Sequence, residues 1–158
     1  MHRESRRDMR RALARHVNLT KKNIVLDVGS YDVNGTYKCL IPENNVYIGT
    51  DIAIGPNVDF VMSEFSIPLK DKSIDIVLCG QVLEHCRNPF KLIEEAYRIV
   101  KPGGHVFLVA PFIWPEHRFP LDCFRYLPDG MSSVLEFSGF KVKQAYLSGP
   151  DCWGVGTK

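Results

Sequence analysis

The sequence predicts an α/β fold: one mainly parallel sheet with helices on both faces. Three observations lead there. Short apolar runs alternate along the chain with stretches whose apolar residues recur at helical spacing, the order that builds a parallel sheet covered on two sides. Val25-Leu26-Asp27-Val28-Gly29-Ser30 reads as a strand opening into a turn, and Tyr47-Ile48-Gly49-Thr50-Asp51-Ile52 as a second strand ending in a carboxylate. Ile74 to Cys79 is apolar enough to be a central strand, buried on both faces. At 158 residues, 45% hydrophobic and 24% charged, the chain is sized for one domain with one core.

The elements follow in order. Arg3, Arg6, Arg7, Arg10, Arg11 and Arg15 crowd the beginning of the chain against Glu4 and Asp8, while Met9, Leu13 and Val17 recur at helical spacing. This predicts a basic amphipathic helix within residues 1–22, ahead of a domain over 23–158. It reads as a solvated helix on the domain edge; the alternative is that its arginines meet an anionic substrate or nucleic acid. Acidic interruptions argue against a mitochondrial transit peptide. Strands are expected over Ile24–Val28, Val46–Asp51, Val58–Val61 and Ile74–Cys79. Asn88 caps a helix entered by Pro89, with Phe90, Ile93, Tyr97 and Val100 on one face, and Lys101-Pro102-Gly103-Gly104 stops it. A strand over Val106–Ala110 follows. A helix started by Asp129 and ended at Gly139, a strand over Phe140–Leu147 and a short antiparallel strand over Trp153–Thr157 complete the chain. Ala53 to Asn57 and Met62 to Lys72 are too short for full crossover helices. Turns are expected there, and the third strand is expected to be very short or absent.

Composition excludes several classes. No apolar run approaches a membrane span and the beginning of the chain lacks a signal-peptide core, so a cytoplasmic location is expected. Cys39, Cys79, Cys86, Cys123 and Cys152 show no CxxC pairing and read as reduced thiols. His85, Cys86, His117 and Cys123 have no local ligand spacing, so no metal site is expected. The net charge of +2 is concentrated in the arginine-rich beginning.

The blocks Val25 to Ser30, Tyr47 to Ile52, Ile74-Asp75-Ile76-Val77-Leu78-Cys79-Gly80-Gln81-Val82-Leu83-Glu84-His85 and Lys101-Pro102-Gly103-Gly104 resemble, in order and spacing, the class I S-adenosylmethionine-dependent methyltransferases. The resemblance runs from Ile24 to about Phe112 and implies a compact Rossmann-like domain with shortened crossovers, binding S-adenosylmethionine and releasing S-adenosylhomocysteine. By this resemblance Gly29 and Ser30 bring backbone amides to the amino-acid part of the cofactor, and Asp27 orients the turn or meets the ammonium, unless it merely caps the next element. Asp51 accepts from both ribose hydroxyls and Ile52 lies on the adenine face. Ser63 and Glu64 lie near adenine, and Gly80 and Gln81 pass beside the methionine portion. No GxGxxG follows the first strand, which argues against a dinucleotide. Tyr31 and Val33 stand where further glycines are usual, so the Tyr31 side chain must point away from the cofactor or fill part of its pocket. Glu84 and His85 open a helix in this reading, with His85 a buried structural histidine.

The segment Trp114 to Tyr126 is rich in ionisable and aromatic residues and follows the carboxyl end of a strand, where ligands bind in such sheets. His117 is the candidate general base, with Asp122 orienting it; Arg118, Arg125 and Tyr126 are candidate acceptor contacts. A structural network of His117, Asp122 and Arg125 fixing a lid is the competing reading. No Asn-Pro-Pro-Tyr-like sequence follows the fourth strand, which speaks against methylation of nucleic-acid bases. The pattern is similar to methyltransferases of small molecules, saccharides and natural products, with oxygen or nitrogen as acceptor. The rival function is a methyltransferase-fold binding or scaffold protein without turnover that contacts an anionic partner through its basic helix.

Overall fold

The computed structural model describes residues 3–158, apart from the side chains of Arg3 and Glu4. Its order is α1 (Arg3–His16), β1 (Ile24–Val28), β2 (Val46–Asp51), β3 (Phe60–Val61), β4 (Ile74–Gly80), α2 (Pro89–Ile99), β5 (Val100–Pro111), α3 (Pro128–Phe137), β6 (Lys141–Ser148) and β7 (Asp151–Thr157). The sheet runs β3-β2-β1-β4-β5-β7-β6. β1 pairs in parallel with β2 and β4, β2 with β3, and β4 with β5, whereas β7 lies antiparallel between β5 and β6. The carboxyl ends of β1, β2, β4 and β5 and the start of β7 therefore share one edge of the sheet.

One α-helix covers one face. Met9, Ala12 and Leu13 of α1 pack with Val25, Tyr37, Ile76, Leu78, Phe107, Val109, Trp153 and Val155. The helix is thus seated on the sheet through a fully buried stripe rather than lying loosely at an edge, and Arg7 and Arg11 lie against its own buried Asp8. α2 and α3 cover the opposite face through Leu92, Ile93, Ala96, Ile99, Met131, Val134 and Leu135. Asn88 caps α2 as expected, its side chain accepting from the Lys91 amide. α3 begins one residue earlier than predicted: Pro128 takes the first helical position and Asp129 falls within the first turn.

Other expected boundaries also move. The Lys101–Gly104 stop does not separate α2 from β5 but is absorbed as an irregularity in β5, with Ile74 opposite Val100 and Ile76 opposite His105. Lys101 anchors it by pairing with Asp75 at 2.8 Å. The third strand keeps only Phe60–Val61 of Val58–Val61, very short as the short connections around it implied. Between β1 and β2 only a three-residue 3-10 helix, Lys38–Leu40, replaces a crossover helix. After β3, Arg98 satisfies the backbone in place of helical bonding: it donates to the Ile67 and Leu69 carbonyls, while Glu95 accepts from the Ile67 amide. Among the described residues no helix is long and apolar enough to cross a membrane.

Candidate functional site

The shared edge is built in two halves. Around β1 and β2, Gly29 turns at φ +77°, a conformation that only glycine adopts at little cost, and Val82 packs where a Cβ would stand. Asp51 closes β2 with each carboxylate oxygen already fixed: Oδ2 accepts from the Tyr31 amide at 3.2 Å and Oδ1 from the Ala53 amide at 3.2 Å. Each oxygen retains acceptor capacity, so the carboxylate is held in one orientation and can still receive two hydroxyl donors. Ile52, exposed beside it, offers an apolar face.

The turn itself departs from expectation. The amides of Gly29 and Ser30 both donate to the Thr50 carbonyl, Asp32 donates to Pro56 and Val33 to Tyr31. With Tyr31 spent on Asp51, the amides of residues 29–33 are all satisfied within the protein. The expectation that Gly29 and Ser30 present amides to a ligand is therefore replaced by a turn that contributes shape. The buried Ser30 hydroxyl also faces inward, donating to the Asn57 carbonyl at 2.8 Å. Tyr31 resolves the question of its side chain by laying its ring on Gly55 in the β2–β3 connection, not across the sheet toward β4.

Asp27 is 3% exposed and accepts a hydrogen bond from Tyr47 Oη at 2.6 Å. Burial raises its pKa to about 7, against the opposing effect of that hydrogen bond. Asn57 joins the network, donating to Tyr47 Oη and Thr36 Oγ1 and to the Ser30 carbonyl. Asp27 thus holds the turn from beneath. Tyr47, Asn57 and Thr36 gave no local signal in the sequence, because their meeting depends on register between β1 and β2. Ser63 is exposed and bridges back to Ser66, and Glu64 lies against Arg87 at 3.7 Å. Gly80 leaves no room for a side chain because the buried Tyr37 ring lies against it. Gln81, at φ +61°, donates its side-chain amide to Asp151 at 3.0 Å.

The second half lies beyond β4 and β5. The segment after β4 is not a helix start as predicted; it forms turns tied to the loop after β5. The Glu84 carbonyl accepts from the Cys123 and Phe124 amides, and Tyr126 Oη donates to the Leu83 carbonyl. Tyr126 is buried by this role and is a structural strut, not an acceptor contact. Arg125 is corrected likewise: its five N–H donors go to Trp114, Asp122, Phe124, Pro115 and again Asp122, leaving none for an anion. That pairing holds the Asp122 carboxyl well below the usual range. Asp122 also accepts from the His117 amide at 2.8 Å, with His117 Nδ1 3.6 Å away. Arg118, exposed and paired with Glu116, remains able to turn to a ligand.

Glu84 was read only as part of a helix start, yet its side chain is completely buried and neither carboxylate oxygen has a hydrogen-bond partner. His85 Nε2 lies 3.6 Å and His117 Nε2 4.0 Å from Glu84 Oε1. The two imidazoles meet edge to face with centroids 4.9 Å apart. Burial pushes the Glu84 carboxyl up to about 8 and moves His85 below its ordinary value. Nothing in the sequence spacing joined His117 to Glu84 and His85; parallel pairing of β4 with β5 brings them together.

Residues 37–108 match a family described as the methyltransferase domain. The ubiquinone biosynthesis O-methyltransferase of Photobacterium profundum is 40% identical over 55 residues, 34% of this chain and 23% of that protein. The chain spans less than half the length of the curated relatives it matches. Among solved structures, a SAM dependent methyltransferase from Aquifex aeolicus superposes with a TM-score of 0.71 at 21% identity, over 94% of this chain and 88% of that one. An S-adenosylmethionine dependent methyltransferase from Mesorhizobium loti does so with a TM-score of 0.73 at 13% identity, over 94% and 96%.

Proposed function

We propose that this chain, a class I S-adenosylmethionine-dependent methyltransferase by fold, transfers a methyl group to an oxygen or nitrogen of a small-molecule, saccharide or natural-product acceptor. The observation that carries the reading is the shared sheet edge. It sets the Asp51 carboxylate, oriented for two hydroxyl donors, in one half and the ionisable cluster around His117 in the other. The residues fit the cofactor at its ribose end, where Asp51 and Ile52 would hold the nucleoside, with Ser63 and Glu64 toward adenine. At the amino-acid end the fit is one of shape, through Gly29, Gly80 and Gln81, with Asp27 supporting the turn. When bound, the cofactor supplies an electrophilic methyl on a sulfonium.

The chain's own part is alignment and proton handling. His117 accepts the acceptor's proton at Nε2; its backbone is held by Asp122, which Arg125 locks in place. Arg118 would steady an anionic acceptor, and the exposed rings of Trp114, Phe119 and Phe124 would narrow access for water. A calorimetric titration with S-adenosylmethionine and S-adenosylhomocysteine, with NAD as control, tests the cofactor half. An acceptor panel scored by release of S-adenosylhomocysteine tests the other. Replacement of His117 with Ala should cut turnover far more than cofactor affinity, and unchanged turnover removes it from the mechanism.

A second reading, a binding protein of this fold without turnover, draws on one observation. The amides of residues 29–33 are spent internally, and Val82 covers Gly29. Failure to bind either cofactor form would put that reading first.

A further inference from the structure

Glu84, His85 and His117 offer one carboxylate oxygen and two ring nitrogens that all lie within 4.8 Å of one another, the one such group among the described residues. We propose that they form a site for a divalent first-row transition-metal cation, bound by two histidines and one carboxylate.

Three features support this beyond proximity. First, a carboxylate removed from water with no donor at either oxygen is expensive, and a cation satisfies both oxygens at once. Second, both imidazoles are preset as ligands. His85 Nδ1 donates to the Leu121 carbonyl at 2.5 Å, and His117 Nδ1 faces the Pro115 carbonyl at 3.3 Å. A carbonyl only accepts, so the proton sits on Nδ1 in each ring and the Nε2 lone pairs point toward Glu84. This is the arrangement by which outer hydrogen bonds fix metal-binding histidines. Third, the reach is short. Ligands at about 2.1 Å from a shared ion stand roughly 3.0–3.5 Å apart, and the present separations to Glu84 are 3.6 and 4.0 Å. Small rotations of the two partly exposed rings close the difference.

The donor set selects the class of cation. Two imidazole nitrogens favour zinc, cobalt, nickel or iron over magnesium, calcium and manganese, which prefer oxygen. Three protein ligands leave coordination positions open, as in sites where a metal meets substrate. Here those positions adjoin the loop after β5, so the cation would take an oxygen of the acceptor and lower the pKa of its hydroxyl, whose proton then passes to solvent. With the cation in place His117 Nε2 is a ligand and no longer the base. This use of the cation rests on the methyl-transfer reading; occupancy of the site does not.

The test is titration of chelator-stripped protein with Co2+ alone, followed by calorimetry and by the visible absorption of cobalt. One equivalent is expected, with nitrogen-ligated absorption. Affinity should fall by more than about 10-fold in His117→Ala and in Glu84→Gln, while both variants keep the circular dichroism of the parent. His117 is partly exposed, so its removal leaves the core intact. Absence of stoichiometric binding, or equal binding by both variants, overturns the proposal. Parallel titration with S-adenosylmethionine separates the two ideas: cofactor binding without cobalt binding sinks the metal site alone, and cobalt binding without cofactor binding sinks the methyl-transfer reading alone.

Discussion

Replacing Asp27 with Asn should make the protein more stable at alkaline pH and leave it nearly unchanged in acid. The carboxyl is 3% exposed, and burial lifts its pKa from 3.8 to about 7. The sign follows from which state holds the proton. In the unfolded chain the carboxyl ionises near 3.8, and in the folded chain near 7, so between these values the folded state binds more protons and stability falls as pH rises. A displacement of that size corresponds to about 4 kcal/mol, fully lost above about pH 7. Asn is isosteric, cannot ionise and can still accept from Tyr47 Oη through its carbonyl, so the variant escapes the loss. At about 2–4 °C per kcal/mol for a domain of this size, melting at pH 8.5 should rise by about 8–16 °C, by roughly a third of that at pH 5 and hardly at all near pH 3.8. Thermal unfolding of both proteins across that range is the assay. Melting curves that stay parallel at every pH would show that Asp27 is not ionised against a burial penalty, and the account of the turn would fail. A carboxylate kept at such a cost points to a need for negative charge at this edge, and binding of a cationic ligand there should be accompanied by proton release.

Other perturbations separate fold from site. Asp51→Ala should weaken S-adenosylmethionine by about 100-fold or more by calorimetry while shifting stability by less than about 1 kcal/mol, since it removes a charged acceptor for two hydroxyls and only two exposed amide contacts; retained affinity would sink the assignment. Gly29→Ala should cost about 2–4 kcal/mol in denaturant unfolding through its positive φ and its collision with Val82. Val82→Ala in that background should restore the collision part only. Arg125→Lys should loosen residues 114–125, seen as faster amide exchange there, and lower turnover with cofactor affinity unchanged.

The parts of the fold carried by local chemistry were readable from the sequence. Asn88 with Pro89 specifies the start of α2, and the continuous apolar run at Ile74 specifies a central strand whichever neighbours it acquires. Lys101–Gly104 misled because its turn chemistry is real but lies within a strand, where Lys101 and Asp75 hold it against β4. At the site, Asp51 is legible since its role follows from its position at a strand end. Arg125 and Tyr126 were misread for the opposite reason. An arginine beside aromatic residues looks the same in sequence whether its donors face a ligand or its own loop, and only the path of residues 114–126 decides. Glu84 was invisible because its isolation is set by what surrounds it, contributed by β4, β5 and the loop beyond.

The position of β7 bears on how the chain is made. It is synthesised after β6 yet inserts between β5 and β6, antiparallel to both. Until residues 151–157 leave the ribosome, the long apolar rim of β5 from Val106 to Pro111 has no partner on that side, and β6 can only wait or pair out of place. Completion of the sheet therefore waits for residues 151–157, and a nascent chain stalled before Asp151 would present that rim to chaperones or to another copy of itself.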